Sequence, residues 1–185
     1  MPITLERNKN LAKYNTFGIE VYADIFIEIN NIDDLVEFIG SDESKSSQNI
    51  LIIGGGSNVL FRNDFKGTII YNNIKGIQQK LVGDKVILRV GAGENWHELV
   101  KFTIDKQWSG FENLALIPGN TGAVPVQNIG AYGVEIAERI VSVEGVDIKT
   151  GEKLKLNKNQ CAFGYRDSIF KNSYKDKNII TFVEF

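Results

Sequence analysis

From Glu20 to Ile29 apolar and polar residues alternate, with Val21, Ala23, Ile25, Ile27 and Ile29 on one side. Successive side chains of a strand point to opposite faces, so this pattern predicts a strand covered on one face. The period then changes. Ile32, Leu35, Val36 and Ile39 recur at helical spacing, with Asn31 as the N-cap and Gly40 as the stop. A polar loop from Ser41 to Gln48 leads into Ile50–Ile53, a continuous apolar run typical of a buried strand. Gly67 to Tyr71 predicts the next strand.

A second unit begins near Gly76. Lys85 to Val90 predicts a strand that Gly91-Ala92-Gly93 turns, and Trp96, Leu99, Val100 and Thr103 mark one face of a helix from Glu94 to Lys106. Ser109 to Gly133 is long, irregular and rich in glycine, with Pro118 and Pro125. Arg139 to Ile148 and Glu152 to Leu156 flank Lys149-Thr150-Gly151, which predicts a hairpin. Asn178 to Phe185 predicts a last strand with no evident neighbour, hence an exposed edge. Strands interspersed with helices point to an α/β or α+β chain, divided as 1–75 and 76–185.

Composition narrows the partners. The chain has 185 residues, a net charge of −2 and a pI near 5.5, so no global field favours nucleic acid or an anionic membrane. Trp96, Phe102 and Trp108 read as core, because they lack the interleaved basic residues of a base-stacking surface. The first residues show no basic start followed by an apolar run, and no window approaches the length of a membrane span. The expected location is cytoplasmic. One cysteine, Cys161, and one histidine, His97, leave no internal disulfide and no thiolate or histidine metal cluster. Cys161 reads as a small hydrophobe, and His97 as a structural residue beside the apolar face of its helix.

Candidate chemistry lies in the glycine loops. Gly54-Gly55-Gly56-Ser57-Asn58 follows the Ile50–Ile53 strand directly. Glycines permit close approach, and successive backbone N–H groups can converge on an anion. A Walker loop would need a terminal Gly-Lys-Ser/Thr. A Rossmann fingerprint would need a helix at once and an acid further on. Neither is present, which leaves an anion cradle or a tight turn between strands. Gly91-Ala92-Gly93 is a second such loop. Pro118-Gly119-Asn120-Thr121-Gly122-Ala123 through Gln127-Asn128-Ile129-Gly130-Ala131-Tyr132-Gly133 is a third, with no charged residue from Leu114 to Val134. Ordering such loops costs entropy, and together they suit a large, flat dinucleotide held by backbone donors rather than salt bridges. In Phe163-Gly164-Tyr165-Arg166-Asp167-Ser168-Ile169-Phe170-Lys171, Arg166 is either half of an Arg–Asp surface pair or a permanent cation for a substrate carboxylate.

These segments, with Asn15-Thr16-Phe17-Gly18 and Gly91 to Val100, closely resemble the UDP-N-acetylenolpyruvoylglucosamine reductase family. The resemblance implies an α+β, two-lobed FAD-binding fold of the vanillyl-alcohol-oxidase type. It implies non-covalent FAD, NADPH as reductant, UDP-N-acetylenolpyruvoylglucosamine as substrate, and a place in peptidoglycan synthesis and cell-wall biogenesis. Residue by residue, it assigns Gly54, Gly55, Gly56, Ser57, Asn58 and Val59 to the FAD diphosphate. Gly93, Pro118, Gly119, Thr121, Gly122, Ala123, Gln127, Asn128, Gly130, Ala131, Tyr132 and Gly133 fall to the cofactor's surroundings. Arg166 becomes the catalytic cation, with Tyr165 beside it at the substrate. The family's substrate-binding third domain and its proton-donating serine have no counterpart in residues 1–185, so the chain is expected to be inactive alone. Two other readings fit the residues: an oxidase or dehydrogenase of the same fold with another substrate and a flavin linked to His97, or a non-catalytic FAD-binding module.

Overall fold

The computed structural model describes residues 3–47 and 49–185. Two sheets share the chain in sequence order. The first has strand order β1-β2-β4-β3, built from β1 (Leu5–Asn10), β2 (Tyr22–Ile29), β3 (Ile50–Ile53) and β4 (Phe65–Asn72). β1 runs antiparallel to β2, while β2 and β3 both run parallel to β4. Helices α1 (Ile32–Gly40) and α2 (Asp42–Ser46) connect β2 to β3. The second sheet is antiparallel throughout, in the order β10-β9-β11-β6-β5. It comprises β5 (Ile77–Val82), β6 (Lys85–Gly91), β9 (Ser142–Asp147), β10 (Lys153–Asn157) and β11 (Asn178–Glu184), with α3 (Trp96–Asp105) after β6. A small ribbon, β7 (Gly130–Ala131) with β8 (Val134–Glu135), stands apart from both.

Caps and periodicity account for the helices. Asn31 starts α1 by accepting a hydrogen bond from Asp34 N–H at 2.9 Å, and Asn95 starts α3 by accepting from Glu98 N–H at 3.0 Å. Leu35, Phe38 and Ile39 of α1 pack with Ile27, Ile29 and Ile70 of the first sheet. Trp96, Leu99 and Val100 of α3 pack with Val90, Val143 and Val183 of the second. The sheets are joined: Val146 and Ile179 enter the α1 core, and the Asn72 amide donates to Ile180 O at 2.8 Å. Phe102 and Trp108 pack edge-on at 5.8 Å beside the α3 core. Cys161 is fully buried, and burial pushes its thiol pKa up to about 11.

Several sequence expectations are corrected here. β2 is covered on both faces, because Phe26 packs with Leu11, Phe61 and Ile69 behind the Ile27–Ile29 face. β3 is an edge strand with Ile50, Leu51 and Ile52 half-buried, so its apolar run reflects partial cover and not a central position. Within the expected polar loop, Ser41 caps α2, accepting from Ser44 N–H at 3.2 Å. Gln48, the end of that loop, lies outside the described residues. β1 and β5 are not legible because both are edge strands in which no side chain is fully buried, so neither carries a clear alternation. β11 is the largest correction: it sits between β9 and β6, with Ile179, Ile180 and Val183 buried, so the last strand is central.

Candidate functional site

β3 delivers the chain into Gly54-Gly55-Gly56-Ser57-Asn58 at the end of the first sheet. Gly56 has φ 66°, and a Cβ there would collide with the Tyr14 carbonyl and lie 2.8 Å from Asn15 Cα. That position is glycine because the loop is laid against the Tyr14–Thr16 turn, where Thr16 N–H donates to Gly56 O at 3.3 Å. Asn15 shapes the same turn by donating to Leu11 O at 2.8 Å and Ile19 O at 3.0 Å. The N–H groups of Gly55, Gly56, Ser57 and Asn58 donate to no acceptor among the described residues. Consecutive free N–H groups around a left-handed residue form an anion-binding concavity.

The third glycine loop faces this one. Trp96 N–H donates to Gly119 O at 3.0 Å, Thr121 N–H to Glu94 O at 2.8 Å, and Gly122 N–H to Ala92 O at 2.8 Å. These bonds strap residues 119–122 onto the stretch between β6 and α3. A Cβ on Gly54 or Gly55 would come within 3.2 or 3.1 Å of the Asn120 side chain, and one on Gly119 within 3.4 Å of Ser57 Oγ. A seam therefore forms between Gly54–Ser57 and Gly119–Asn120. Thr121 is fully buried, its hydroxyl donating to Glu94 O at 3.1 Å, whereas Pro118 and Ala123 are exposed. Val59 is half-buried against the first-sheet core.

Gly93 behaves differently. Its N–H donates to Ile74 O at 2.8 Å, and a Cβ would lie 2.6 Å from the Asn73 carbonyl carbon. It is buried against the connection between the sheets, where a Cβ would meet the Asn73 and Ile74 backbone.

Further along, Asn128 is 1% exposed and left-handed at φ 41°. Its amide donates to Glu135 Oε2 and to Gly164 O, both at 2.9 Å, and accepts from Ala137 N–H at 3.0 Å. Ser168, fully buried, donates to Val126 O at 2.7 Å. Together they clamp residues 163–171 onto residues 126–137. Arg166, at φ 53°, reaches back to donate to Gly130 O at 2.5 Å and is otherwise exposed. The Arg–Asp surface pair does not form: Asp167 accepts from the Asn172 amide at 3.1 and 3.0 Å instead. Tyr165 and Tyr132 flank this arginine in sequence and ribbon and are 85% and 89% exposed. Ala131 and Gln127 are half-buried, and Gly133 is exposed at the ribbon's turn. His97 Nδ1 accepts from Leu116 N–H at 3.3 Å, holding the left-handed Leu116 (φ 62°) ahead of Pro118. A groove of about 760 Å³ beside β3, lined by Ile39, Ile50, Phe65 and Ile148, involves none of the glycine loops.

Residues 23–157 match the FAD binding domain family. The chain belongs to that family. Over 176 residues it is 46% identical to the UDP-N-acetylenolpyruvoylglucosamine reductases of Photobacterium profundum and Escherichia coli, covering 95% of this chain and 51% of each relative. It thus spans about half the length of the curated relatives it matches. Among solved structures, a UDP-N-acetylenolpyruvylglucosamine reductase from Thermus caldophilus superposes with a TM-score of 0.74 at 24% identity, over 98% of this chain and 61% of that one. A BBE-like 1 protein of Physcomitrella patens gives 0.65 at 16% identity, over 99% and 41%. The family resemblance and the α+β fold of the vanillyl-alcohol-oxidase type, both read from the sequence, are borne out. The seam of free donors lies within the matched FAD binding domain. Asn120 was the seam residue that motif reading passed over. Its signal was an amide standing among glycines in a stretch without charge.

Proposed function

We propose that this chain is the FAD-binding portion of an NADPH-dependent reductase that converts UDP-N-acetylenolpyruvoylglucosamine to UDP-N-acetylmuramate in cytoplasmic peptidoglycan synthesis. Residues 1–75 form the first FAD-binding lobe and residues 76–185 the second. One observation carries the reading: four consecutive N–H groups, Gly55 to Asn58, without a protein acceptor, facing an uncharged loop. Such donors suit a diphosphate, which takes hydrogen bonds from fixed dipoles without needing a salt bridge. Residues of the chain fit FAD there, non-covalently, with Gly54 to Val59 on the diphosphate and Pro118 to Gly133 around it. FAD, when bound, supplies a hydride that NADPH replenishes.

Arg166 is the catalytic residue in this reading. Its guanidinium is anchored to Gly130 O by one edge, leaving other N–H donors for a substrate carboxylate. A permanent cation there stabilises the negative charge that hydride addition leaves on the enolpyruvyl group. Arg166 cannot give up a proton near neutral pH, and Ser168 is fully buried and committed to Val126 O. Neither therefore serves as the proton donor that completes the reduction. No helix among the described residues is long and apolar enough to cross a membrane.

The test is to titrate the purified chain with FAD by fluorescence quenching. NADPH consumption is then followed with and without UDP-N-acetylenolpyruvoylglucosamine. The expected result is FAD binding without substrate-dependent NADPH consumption. Failure to bind FAD overturns the cofactor assignment, and turnover comparable to a full-length reductase overturns the assignment as a portion.

A further inference from the structure

Asn120 is 8% exposed, yet its side-chain amide has no hydrogen-bond partner among the described residues. Among those residues no fully buried side-chain nitrogen or oxygen lacks a partner, so this amide opens on the seam and not into the core. The fold therefore leaves this donor and acceptor free to meet a ligand. The side chain is held in place by its flanks. Asn120 is extended at φ −106° and ψ 160°, between the Trp96–Gly119 and Glu94–Thr121 backbone bonds. Its Nδ2 lies 3.2 Å from where a Gly54 Cβ would be, and its Oδ1 3.1 Å from where a Gly55 Cβ would be. The backbone N–H groups of Gly119 and Asn120 are also without acceptors among the described residues.

We infer that Asn120 is a specificity residue for the diphosphate: its amide N–H donates to the same diphosphate oxygens that the N–H groups of Gly55 to Asn58 hold. This rests on the FAD reading above. The position calls for a neutral donor. From Leu114 to Val134 the loop carries no charge, and the donors on the opposite wall are backbone N–H groups, so an amide completes a cradle of dipoles. Gly54 and Gly55 are then glycines because a Cβ at either would displace Asn120, which links the first loop's composition to the third loop's side chain.

The experiment measures the affinities of the 185-residue chain for FAD, ADP and riboflavin, together with the melting temperature of the ligand-free protein. Asn120→Ala is expected to lower FAD and ADP affinity together, by roughly tenfold to a hundredfold, the worth of a hydrogen bond to a charged group. Riboflavin affinity and melting temperature should stay at the wild-type value. Asn120→Asp should lower FAD and ADP affinity further by setting a carboxylate against the diphosphate, and Asn120→Ser, which keeps a donor, should lower them less than alanine. If the aspartate variant does not fold, the alanine and serine pair decides. Unchanged FAD affinity in Asn120→Ala overturns the inference. So does a loss shared by FAD and riboflavin but not ADP, which would put the amide at the flavin ring. Wild-type chain that binds neither FAD nor ADP overturns the underlying cofactor reading with it.

Discussion

Two glycine loops of this chain look alike in sequence and do opposite things. Gly91-Ala92-Gly93 and Gly54-Gly55-Gly56 each come at the end of a strand. In the first, glycine is needed because backbone meets backbone: a Cβ on Gly91 would lie 2.8 Å from the Lys75 carbonyl carbon, and the Gly93 N–H is committed to Ile74 O. In the second, Gly56 serves packing in the same way, but the N–H groups of Gly55 to Asn58 stay unpaired. Glycine content therefore marks close approach. What approaches, chain or ligand, is shown by the disposition of the N–H groups.

Three experiments sharpen that contrast. The largest effect is expected at Gly93→Ala. The added Cβ would meet the Asn73 and Ile74 backbone, which cannot rotate aside, so stability should fall by about 3 kcal/mol. Thermal unfolding should record a drop of about 6–12 °C. A variant that melts like wild type would show that the connection between the sheets can yield. Gly55→Val should do the reverse. Its nearest neighbour is the end of the Asn120 side chain, which can move, so the melting temperature should change by no more than about 3 °C. FAD affinity should fall by about 30-fold or more as the valine displaces the Asn120 amide and covers the N–H groups. Undiminished affinity would remove the diphosphate from this loop.

The smallest effect concerns pH. Glu144 is held below the ordinary carboxylate range by its hydrogen bonds to Arg89, and Glu184 by accepting from the Ser142 hydroxyl, with Lys155 bridging both. Lowered carboxylates stabilise the fold fully above the unfolded value near 4.5, and that stability is lost as pH falls through the lowered values. Melting temperature should thus be flat from about pH 8 to 5 on this account and decline below about 4.5. FAD affinity should be flat from about pH 8 to 6, because no residue of the seam, Gly54 to Ser57 with Gly119 and Asn120, carries a titratable side chain. A clear rise or fall of FAD affinity in that interval would place a charged group at the cofactor that the seam does not contain.

Periodicity and caps sufficed for α1, α3, β2, β6 and the β9–β10 hairpin, because each has a covered face that must be apolar at fixed spacing. The uncharged glycine stretches were equally legible, since ordering them without a ligand is costly. Sheet order was not. β11 looks like an edge in sequence and is central in the fold, because its partners β6 and β9 are distant in the chain. Asn120 was silent for a related reason. An asparagine after Pro-Gly reads as a turn residue until the backbone of α3's entry fixes it opposite Gly54, leaving an amide that no described residue of the protein satisfies. Asn128 lies in the same uncharged stretch, yet Glu135, Gly164 and Ala137 take up its amide. Local sequence decides which residues can donate. Only the tertiary arrangement decides which donors the fold leaves unpaired, because the competing acceptors arrive from segments far away in the chain.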